Sequence, residues 1–299
     1  MQAVDTLDQQ ARARAKAYMG ATAWPTVLLG VAVTASYAAT LLLTLIQIIP
    51  ILLALPLLTV LSYLAYTVMH DAVHGSINGS NASLRWLNET MGYLAGQILM
   101  IPLTAHRHEH LAHHRNTNDI DADPDHHISD ITRSPLAAMR AAGRSVVNQY
   151  TYYLKHRWPV AAKSQNLYFT LETVVALAWR LAFMAQGFWL EGALLFLVSG
   201  LGGVMILMYL FAYIVHRPHQ NQGRYLDTST IVLPGLTGRI MTALWCYQNY
   251  HSIHHLFPRI PFYKYRALFE EIEDIMVTKE APVYRMGLRG LQPQTSFLT

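Results

Sequence analysis

The chain has 299 residues, of which 53% are hydrophobic and only 13% are charged, whereas ordinary soluble domains carry about 25% charged residues. This balance argues against a water-soluble enzyme and predicts one integrated membrane domain. The formal net charge is +4, but no block of lysine and arginine interleaved with aromatic residues is present, so nucleic acid is not an expected partner. The one cysteine, Cys246, excludes an intramolecular disulfide and a metal site built from several thiolates.

Residues 1–20 are polar and precede the first apolar run. Arg12, Arg14 and Lys16 lie on an Ala- and Gln-rich stretch, which predicts an amphipathic helix resting at the membrane surface. The acidic residues of this segment and the length of the apolar run that follows argue against a cleaved signal peptide.

A first pair of spans is predicted within residues 21–69. No charged residue occurs from Thr22 to Met69, a run that is too long for one crossing of about 20 residues and fits two. Pro50 and Pro56, with Gln47 nearby, mark the expected reversal. The predicted spans lie near residues 24–44 and 51–69.

The region that follows contains His, Asp, Asn and Arg throughout and predicts a helical cap outside the membrane. Its one apolar stretch, residues 87–103, includes Glu89 and barely reaches the length of a crossing, so a re-entrant or interfacial segment is expected. Two more spans are predicted near residues 167–185 and 192–215. The complete organisation is a single domain made of an amphipathic N-terminal segment (1–20), a first helix pair (21–69), a cap with two histidine clusters (70–166), a second helix pair (167–215) and a cap with a third cluster (216–299).

Lysine and arginine predict the orientation in the membrane. Of these 22 residues, 3 lie in residues 1–20, 9 in residues 70–166 and 9 after residue 216, while Arg180 lies inside a predicted span. Four crossings place the three basic regions on the same side, which is cytoplasmic by the positive-inside rule. The sequence therefore predicts an all-α integral membrane protein with four transmembrane helices and with the cap and both termini in the cytoplasm. Arg180 is expected to contact a neighbouring helix.

Eight of the 15 histidines fall into three clusters with helical spacing. Residues three and four positions apart lie on one face of a helix, so a single turn offers up to three imidazoles toward a common point. Because one zinc ion takes about four ligands, eight histidines are enough for two metal ions. The clusters are His70 and His74; His110, His113 and His114; and His251, His254 and His255.

Five further histidines lie off this spacing and are predicted at the surface or in contact with the metal ligands rather than on the metal. They are His106, His108, His126, His127 and His156.

Ligand chemistry alone leaves several metals and functions open. Imidazole suits Zn, Cu, Fe and Ni alike. A zinc hydrolase is disfavoured, because Ala112 stands where the second histidine of an HExxH pattern would follow His108 and Glu109. A metal-ion transporter would need histidines within the spans, whereas all 15 lie at or beyond the predicted span ends. Two iron ions that bind and reduce O2 would use all eight clustered histidines.

The three clusters, interleaved with two pairs of spans, resemble the histidine boxes of the membrane fatty-acid desaturase/hydroxylase superfamily. The strings HLAHHRNTND (residues 110–119), DPDH (123–126), HRP (216–218) and NYHSIHHLFP (249–258) are similar to its β-carotene hydroxylase branch. The resemblance covers about residues 60–270. It implies a four-span all-α fold in which a cytoplasmic cap holds a di-iron site.

The resemblance also implies further site residues. A ninth histidine after the fourth span completes the two iron shells in this superfamily; His216 is the best match here and His219 the alternative. Carboxylates and amides near the boxes are expected to orient the imidazole rings, since a ligating imidazole usually donates its other N–H to such a group. The residues expected in this role are Asp71, Asn118, Asp119, Asp123 and Asp125.

The activity implied by the resemblance is O2-dependent oxidation of C–H bonds in a long apolar substrate. Fatty-acyl desaturation or hydroxylation is favoured, and hydroxylation of a β-carotene ring is the alternative. The sequence contains neither a dinucleotide-binding GxGxxG nor a fused cytochrome b5 motif, so electrons are expected from a separate ferredoxin or cytochrome-type donor. A basic cytoplasmic face would suit an acidic donor.

Overall fold

The computed structural model describes residues 6–287 and 290–294. Among these residues, four helices are long and apolar enough to cross a membrane, which confirms the predicted all-α integral membrane architecture. In chain order the helices are α1 (Thr6–Ala15), α2 (Trp24–Leu45), α3 (Ile51–Val73), α4 (Arg85–Leu99), α5 (Leu103–Asn116), α6 (Pro135–His156), α7 (Lys163–Met184), α8 (Trp189–Tyr213), α9 (Gly235–Leu244), α10 (His251–Leu256) and α11 (Tyr265–Thr278).

The spans are α2, α3, α7 and α8, and they lie within a few residues of their predicted positions. Pro50 immediately precedes α3 with an extended backbone, as is common for a proline at a helix start. Pro56, which was also expected in the reversal, lies inside α3 instead. Helix α3 continues past the predicted end at residue 69, so the first histidine cluster lies on its last turn. Short 3-10 turns complete the helical structure: Lys16–Tyr18, Ala82–Leu84, His126–Asp130, Gln248–Tyr250 and Phe262–Lys264. Two stretches of α8, Leu194–Val198 and Met208–Tyr213, are π-helical.

Helices α4 and α5 form a hairpin beside the spans, and α4 corresponds to the segment that we expected to be re-entrant or interfacial. Helix α4 runs antiparallel to α3, with its Asn88 side chain donating to the Ala72 carbonyl at 3.0 Å. The chain reverses at Met100, whose φ of 58° is left-handed. The tip of the hairpin lies against α7, where Arg180 donates to the carbonyls of Gln97 and Ile98 at 2.9 Å. Arg180 therefore contacts a neighbouring helix, as the sequence predicted.

The N-terminal helix α1 packs on the cap. Its Ala11 and Ala15 are fully buried, and the Arg14 guanidinium lies 3.4 Å from the Asp274 carboxylate on α11. The Asp8 carboxylate also accepts hydrogen bonds from Arg224 at 2.7 Å and Tyr225 at 2.9 Å. The alanine face of α1 is thus buried against protein, while its position at the membrane surface stays a prediction.

The cap also contains a small three-stranded sheet that the sequence analysis did not predict. Strand β1 (Thr230–Val232) pairs in parallel with β2 (Val283–Gly287), and β2 pairs antiparallel with β3 (Gly290–Pro293). Strands of three to five residues are too short for a recognisable alternation of apolar and polar residues. The sheet supports the third cluster, because the Asn249 amide, just before α10, donates to the Ile231 carbonyl at 2.9 Å.

Candidate metal centre

Four parts of the fold bring the histidine clusters together where the spans meet the cap. His70 and His74 lie at the end of α3, the second cluster lies on α5 and the third on α10. His216 follows α8 directly and is 4% exposed. Each cluster lies on or at the end of a helix, so the predicted i,i+3 and i,i+4 relations do direct the rings to one side.

The side chains form two adjacent groups, in each of which one nitrogen per ring lies within 4.8 Å of the others. The groups are in contact, because the rings of His114 and His255 stack with their centroids 4.2 Å apart. The five-histidine group consists of His70, His74, His110, His114 and His254, and the three-histidine group consists of His113, His216 and His255.

His251 lies beside the three-histidine group but is not part of it, because its ring nitrogens do not meet the 4.8 Å separation that defines the group. Its ring centroid is 4.8 Å from that of His255 and 5.0 Å from that of His216. Its Nδ1 is 3.0 Å from Oε1 of Gln248, which leaves Nε2 as the nitrogen available to a ligand.

Several buried ring nitrogens have no hydrogen-bond partner within the described part of the chain, and this observation bears on whether the residues fit a metal. Both ring nitrogens of His70, Nε2 of His74 and His255, and Nδ1 of His216 are buried without a hydrogen-bond partner among the described residues. Such groups are rare in folded proteins because an unsatisfied buried polar atom is costly. The Nε2 atom of His114 also lies within 3.1 Å of Nε2 of His110 and 2.8 Å of Nε2 of His254. Nitrogens that converge in this way suit a shared cation.

Most of the cluster imidazoles that lie outside the spans are kept neutral by burial. It lowers the pKa of His74 to about 3, with a smaller contribution from nearby cationic side chains. The pKa values of the other cluster members beyond the spans, apart from His113, lie well below the ordinary value of 6.5 for the same main reason, desolvation. A neutral imidazole has the free lone pair that metal binding requires.

His113 differs from the rest because a carboxylate faces it. Burial lowers its pKa, but the Asp123 carboxylate, 2.8 Å from Nδ1, outweighs this effect and raises the pKa to about 9. Asp123 also accepts the backbone N–H groups of Asn118 and Asp125 at 2.8 and 2.9 Å. The Asn118 amide in turn donates to the carbonyls of Asn221 and Asp227 at 2.7 Å. Of the five residues expected to orient imidazoles, Asp123 contacts one directly and Asn118 supports it.

The other residues expected near the rings have different partners. Asp71 accepts from the Thr26 hydroxyl at 2.8 Å and from the Phe262 N–H at 3.3 Å, so it joins three segments of the fold. Asp119 accepts from the backbone of its own turn, and Asp125 lies against Glu109. His219 belongs to neither histidine group; its ring is 5.0 Å from that of Tyr213.

Three side chains that contact the third cluster were not singled out from the sequence. The Tyr265 hydroxyl lies 3.0 Å from Nδ1 of His254, and the Thr117 hydroxyl lies 3.4 Å from Nδ1 of His255. Gln248 contacts His251. The i,i+3 spacing of Gln248 and His251 is a signal that could have found that pair. No spacing rule connects Tyr265 to His254, since an irregular segment separates α10 from α11.

The five histidines that lie off the cluster spacing are outside both groups. His106 is nevertheless buried: its Nδ1 is 2.7 Å from Oε1 of Gln149, and its ring centroid is 5.3 Å from that of His110. His127 contacts the Ser145 hydroxyl at 2.9 Å. The remaining three are His108, His126 and His156.

Two mainly apolar cavities lie beside the centre, among the spans. An inner cavity of about 80 Å³ is lined by Tyr66, Met208 and Phe211 among others, and the Phe211 ring centroid is 4.8 Å from that of His70. An outer cavity of about 250 Å³ continues among the spans. The two cavities share the lining residues Ile101, Val204 and Leu207.

The fold and this centre define an integral membrane protein built around buried, converging histidines, with an apolar cavity at their edge. The chain belongs to the fatty acid desaturase family, whose sequence model matches residues 46–286. The predicted resemblance to the membrane desaturase superfamily is therefore confirmed, whereas the similarity to the β-carotene hydroxylase branch stays a prediction.

Three relatives illustrate the similarity. The chain is 26% identical to a fatty acid desaturase of Bacillus subtilis (strain 168), with 70% of this chain and 64% of that protein covered. It is 27% identical to the sn-1 oleoyl-lipid 12-desaturase of Picosynechococcus sp., over 84% of this chain and 76% of that protein. It is 25% identical to the sn-1 acyl-lipid omega-3 desaturase (ferredoxin) of Nostoc sp., over 71% of this chain and 64% of that protein. The chain thus spans slightly less than two thirds of the Bacillus and Nostoc proteins.

Proposed function

We propose that the chain holds two iron ions and uses O2 to desaturate a fatty-acyl chain of a lipid. The observation that carries the proposal is the convergence of three histidine clusters on two adjacent groups beside an apolar cavity. Two iron ions, when bound, would supply the oxidising power that an unactivated C–H bond requires. The overall reaction balances as –CH2–CH2– plus O2, two electrons and two protons giving –CH=CH– and two waters.

We assign the five-histidine group to one ion and the three-histidine group, together with His251, to the other. The unpartnered buried nitrogens and the lowered pKa values support this assignment. Asp123 would hold His113 with Nδ1 protonated, so that Nε2 faces the metal. Tyr265 would fix the ring of His254 through Nδ1 in the same way.

The protein's own contribution is to position the chain and to exclude water. The walls of the inner cavity, including Tyr66, Met208 and Phe211, would hold the methylene groups beside His70. The outer cavity would accept the part of the chain that lies deeper among the spans. Methylene groups can pass from the bilayer into these apolar walls without a desolvation cost, whereas a polar substrate would lose its hydrogen bonds there, which favours a long acyl chain.

Two of the relatives are named for acyl chains of lipids, which supports an acyl substrate. We propose a membrane lipid as the substrate, with acyl hydroxylation and β-carotene hydroxylation as the alternatives. The electron donor would be a separate protein of ferredoxin or cytochrome type, and the name of the Nostoc relative includes ferredoxin.

We further propose that residues 1–299 act as one domain with the cap and both termini in the cytoplasm. The packing of α1 on α11 supports the single domain, and the distribution of lysine and arginine supports the orientation. A reporter fused to the C-terminus tests this orientation, and a reporter that is active only outside the cytoplasm would contradict it.

The experiment that tests the activity is expression with a ferredoxin and its reductase in two hosts, one of which accumulates β-carotene. Mass spectrometry of acyl chains and pigments should reveal acyl products two hydrogens lighter, formed only with O2. A gain of one oxygen on carotene with unchanged acyl chains would favour the carotenoid alternative, and an acyl gain of one oxygen would favour hydroxylation. Purified protein should carry close to two iron ions per chain.

A further inference from the structure

A polar pocket of about 470 Å³ opens at the cap and reaches the candidate metal centre. The loop from Gly75 to Ala82 and the ends of α3, α4 and α5 enclose it. The side chain of His74, a member of the five-histidine group, lines the pocket. We call this cavity the arginine pocket after three of its other lining residues, Arg85, Arg107 and Arg259.

The charge of the arginine pocket is positive. Glu89 is the one carboxylate among its lining residues, and it is paired with Arg107 at 2.9 Å. Arg85 and Arg259 are exposed at the rim. No hydrogen bond or ion pair joins the side chain of Arg85 to another residue in the described part of the chain, and the guanidinium of Arg259 makes one 3.4 Å hydrogen bond to the Gly79 carbonyl. Two guanidinium groups therefore remain available to carboxylates from outside.

We infer that the arginine pocket is the docking site of an acidic, soluble electron-donor protein, with Arg85 and Arg259 binding its carboxylates. The inference rests on the proposed function, which requires two electrons from outside for each turnover. Each reduced donor molecule would give up one electron beside His74 and leave oxidised, so two donors would dock in succession. Charge complementarity of this kind raises association rates and orients the encounter.

A larger polar groove elsewhere on the cap fits the donor less well. It has a volume of about 1010 Å³ and lies between the 120–134 segment and α6. Its lining carries four cationic side chains and three carboxylates, so its excess of positive charge is smaller than that of the arginine pocket, and the carboxylates would repel an acidic partner. The cations are Arg133, Arg140, Arg144 and Lys155, and the carboxylates are Asp121, Asp123 and Asp130. None of the nine histidines assigned to metal binding lines this groove. The arginine pocket combines an excess of positive charge with direct access to a candidate ligand.

The test compares two matched double variants, Arg85→Glu with Arg259→Glu and Arg140→Glu with Arg144→Glu, purified in nanodiscs. Calorimetry measures the Kd of an acidic [2Fe–2S] ferredoxin. A second measurement gives the ratio of the rate of product formation with reduced ferredoxin to the rate with dithionite, which supplies electrons without the donor protein. We expect the Kd to rise about 10- to 100-fold in the arginine-pocket variant, and the ratio to fall in parallel, with less than about a 3-fold effect in the control. The salt dependence of ferredoxin binding should also become weaker in the arginine-pocket variant.

An equal or larger effect of the α6-groove variant would overturn the inference. So would unchanged ferredoxin binding accompanied by weaker binding of vesicles rich in phosphatidylglycerol, because that result would make the arginine pocket a site for lipid phosphate. Failure of the proposed function is a separate result: wild-type protein would then form no O2-dependent product with either ferredoxin or dithionite. Product with dithionite but no measurable ferredoxin binding would refute the docking site alone.

Discussion

The two histidine groups contain the same ligand type but differ in what surrounds them. Among the described residues, the one hydroxyl group hydrogen-bonded to the five-histidine group is that of Tyr265, which contacts His254. In the three-histidine group, His113 faces the Asp123 carboxylate within a loop that backbone hydrogen bonds hold in place. The pKa of His74 is lowered to about 3, whereas that of His113 is raised to about 9. Burial lowers the pKa of His113, but the neighbouring carboxyl groups, with Asp123 foremost and Asp125 and Glu109 adding to it, reverse that effect.

Removal of a ligand from the five-histidine group should have the largest effect. His254 has Nε2 2.8 Å from Nε2 of His114, so His254→Ala should remove one metal ion and lower desaturation by about 1000-fold or more. Iron per chain, measured by mass spectrometry, should fall from two to about one. His127→Ala, which changes a histidine outside both groups, should retain iron and activity. Full iron content in the His254→Ala protein would refute the assignment of the five-histidine group.

The two groups should give the metal-free protein opposite pH dependences. The pKa of His113 is raised, so its stabilising pair with Asp123 is fully present below pH 6.5 and is lost as the pH rises through about 9. The loss amounts to roughly 3 kcal/mol. The pKa of His74 is lowered in the folded protein, so this imidazole stays neutral there while it takes up a proton in the unfolded chain. The free energy of unfolding therefore decreases as the pH falls from 6.5 toward 3. Thermal unfolding of chelated protein should therefore show a decline on both sides of neutral pH.

Asp123→Asn provides the matched control for the alkaline decline, which should disappear in this variant while the acid decline remains. An alkaline decline of the same size in Asp123→Asn would show that another group titrates there.

In the metal-loaded protein, Asp123→Asn should weaken the three-histidine group selectively. The amide cannot accept the Nδ1–H of His113 as strongly as the carboxylate does, and loss of such a partner typically lowers metal affinity about 10- to 100-fold. Chelator competition should release one of the two ions early. Asp121→Asn, at an exposed position in the same loop, is the control, and early release of both ions together would contradict the separation into two groups.

Tyr265→Phe should have the smallest effect, confined to the five-histidine group. The lost hydrogen bond to His254 is worth about 1 kcal/mol, which corresponds to roughly a 5-fold loss of affinity for one ion. Tyr263→Phe removes a neighbouring hydroxyl without a contact to the histidines and should leave both affinities unchanged. A larger change in Tyr263→Phe than in Tyr265→Phe would contradict this role of Tyr265.

The spans and the clusters could be predicted because short-range patterns determine them. The charge-free run from Thr22 to Met69 is long enough for two helices, and Pro50 separates them in the structure. The spacing within the second cluster directs His110 and His114 to one side of α5, where their Nε2 atoms are 3.1 Å apart.

The same reasoning could not predict which of the candidate carboxylates contacts an imidazole. Asp71 and Asp123 were equal candidates, but Asp71 contacts Thr26 while Asp123 contacts His113. The difference depends on the 118–125 loop, which is held by the carbonyls of Asn221 and Asp227 about a hundred residues further along the chain. No local spacing contains that information. The position of Tyr265 depends in the same way on how α11 packs.

The contact between α1 and α11 has a consequence for biosynthesis. Helix α1 leaves the ribosome before its partner α11, which is made after all four spans and the third histidine cluster. A nascent chain that ends before His251 lacks one complete cluster, although its first two clusters have already been synthesised. Under the proposed function, both metal ions would therefore be loaded only after translation of α10, and the pairing of Arg14 with Asp274 would form after all three clusters have been synthesised.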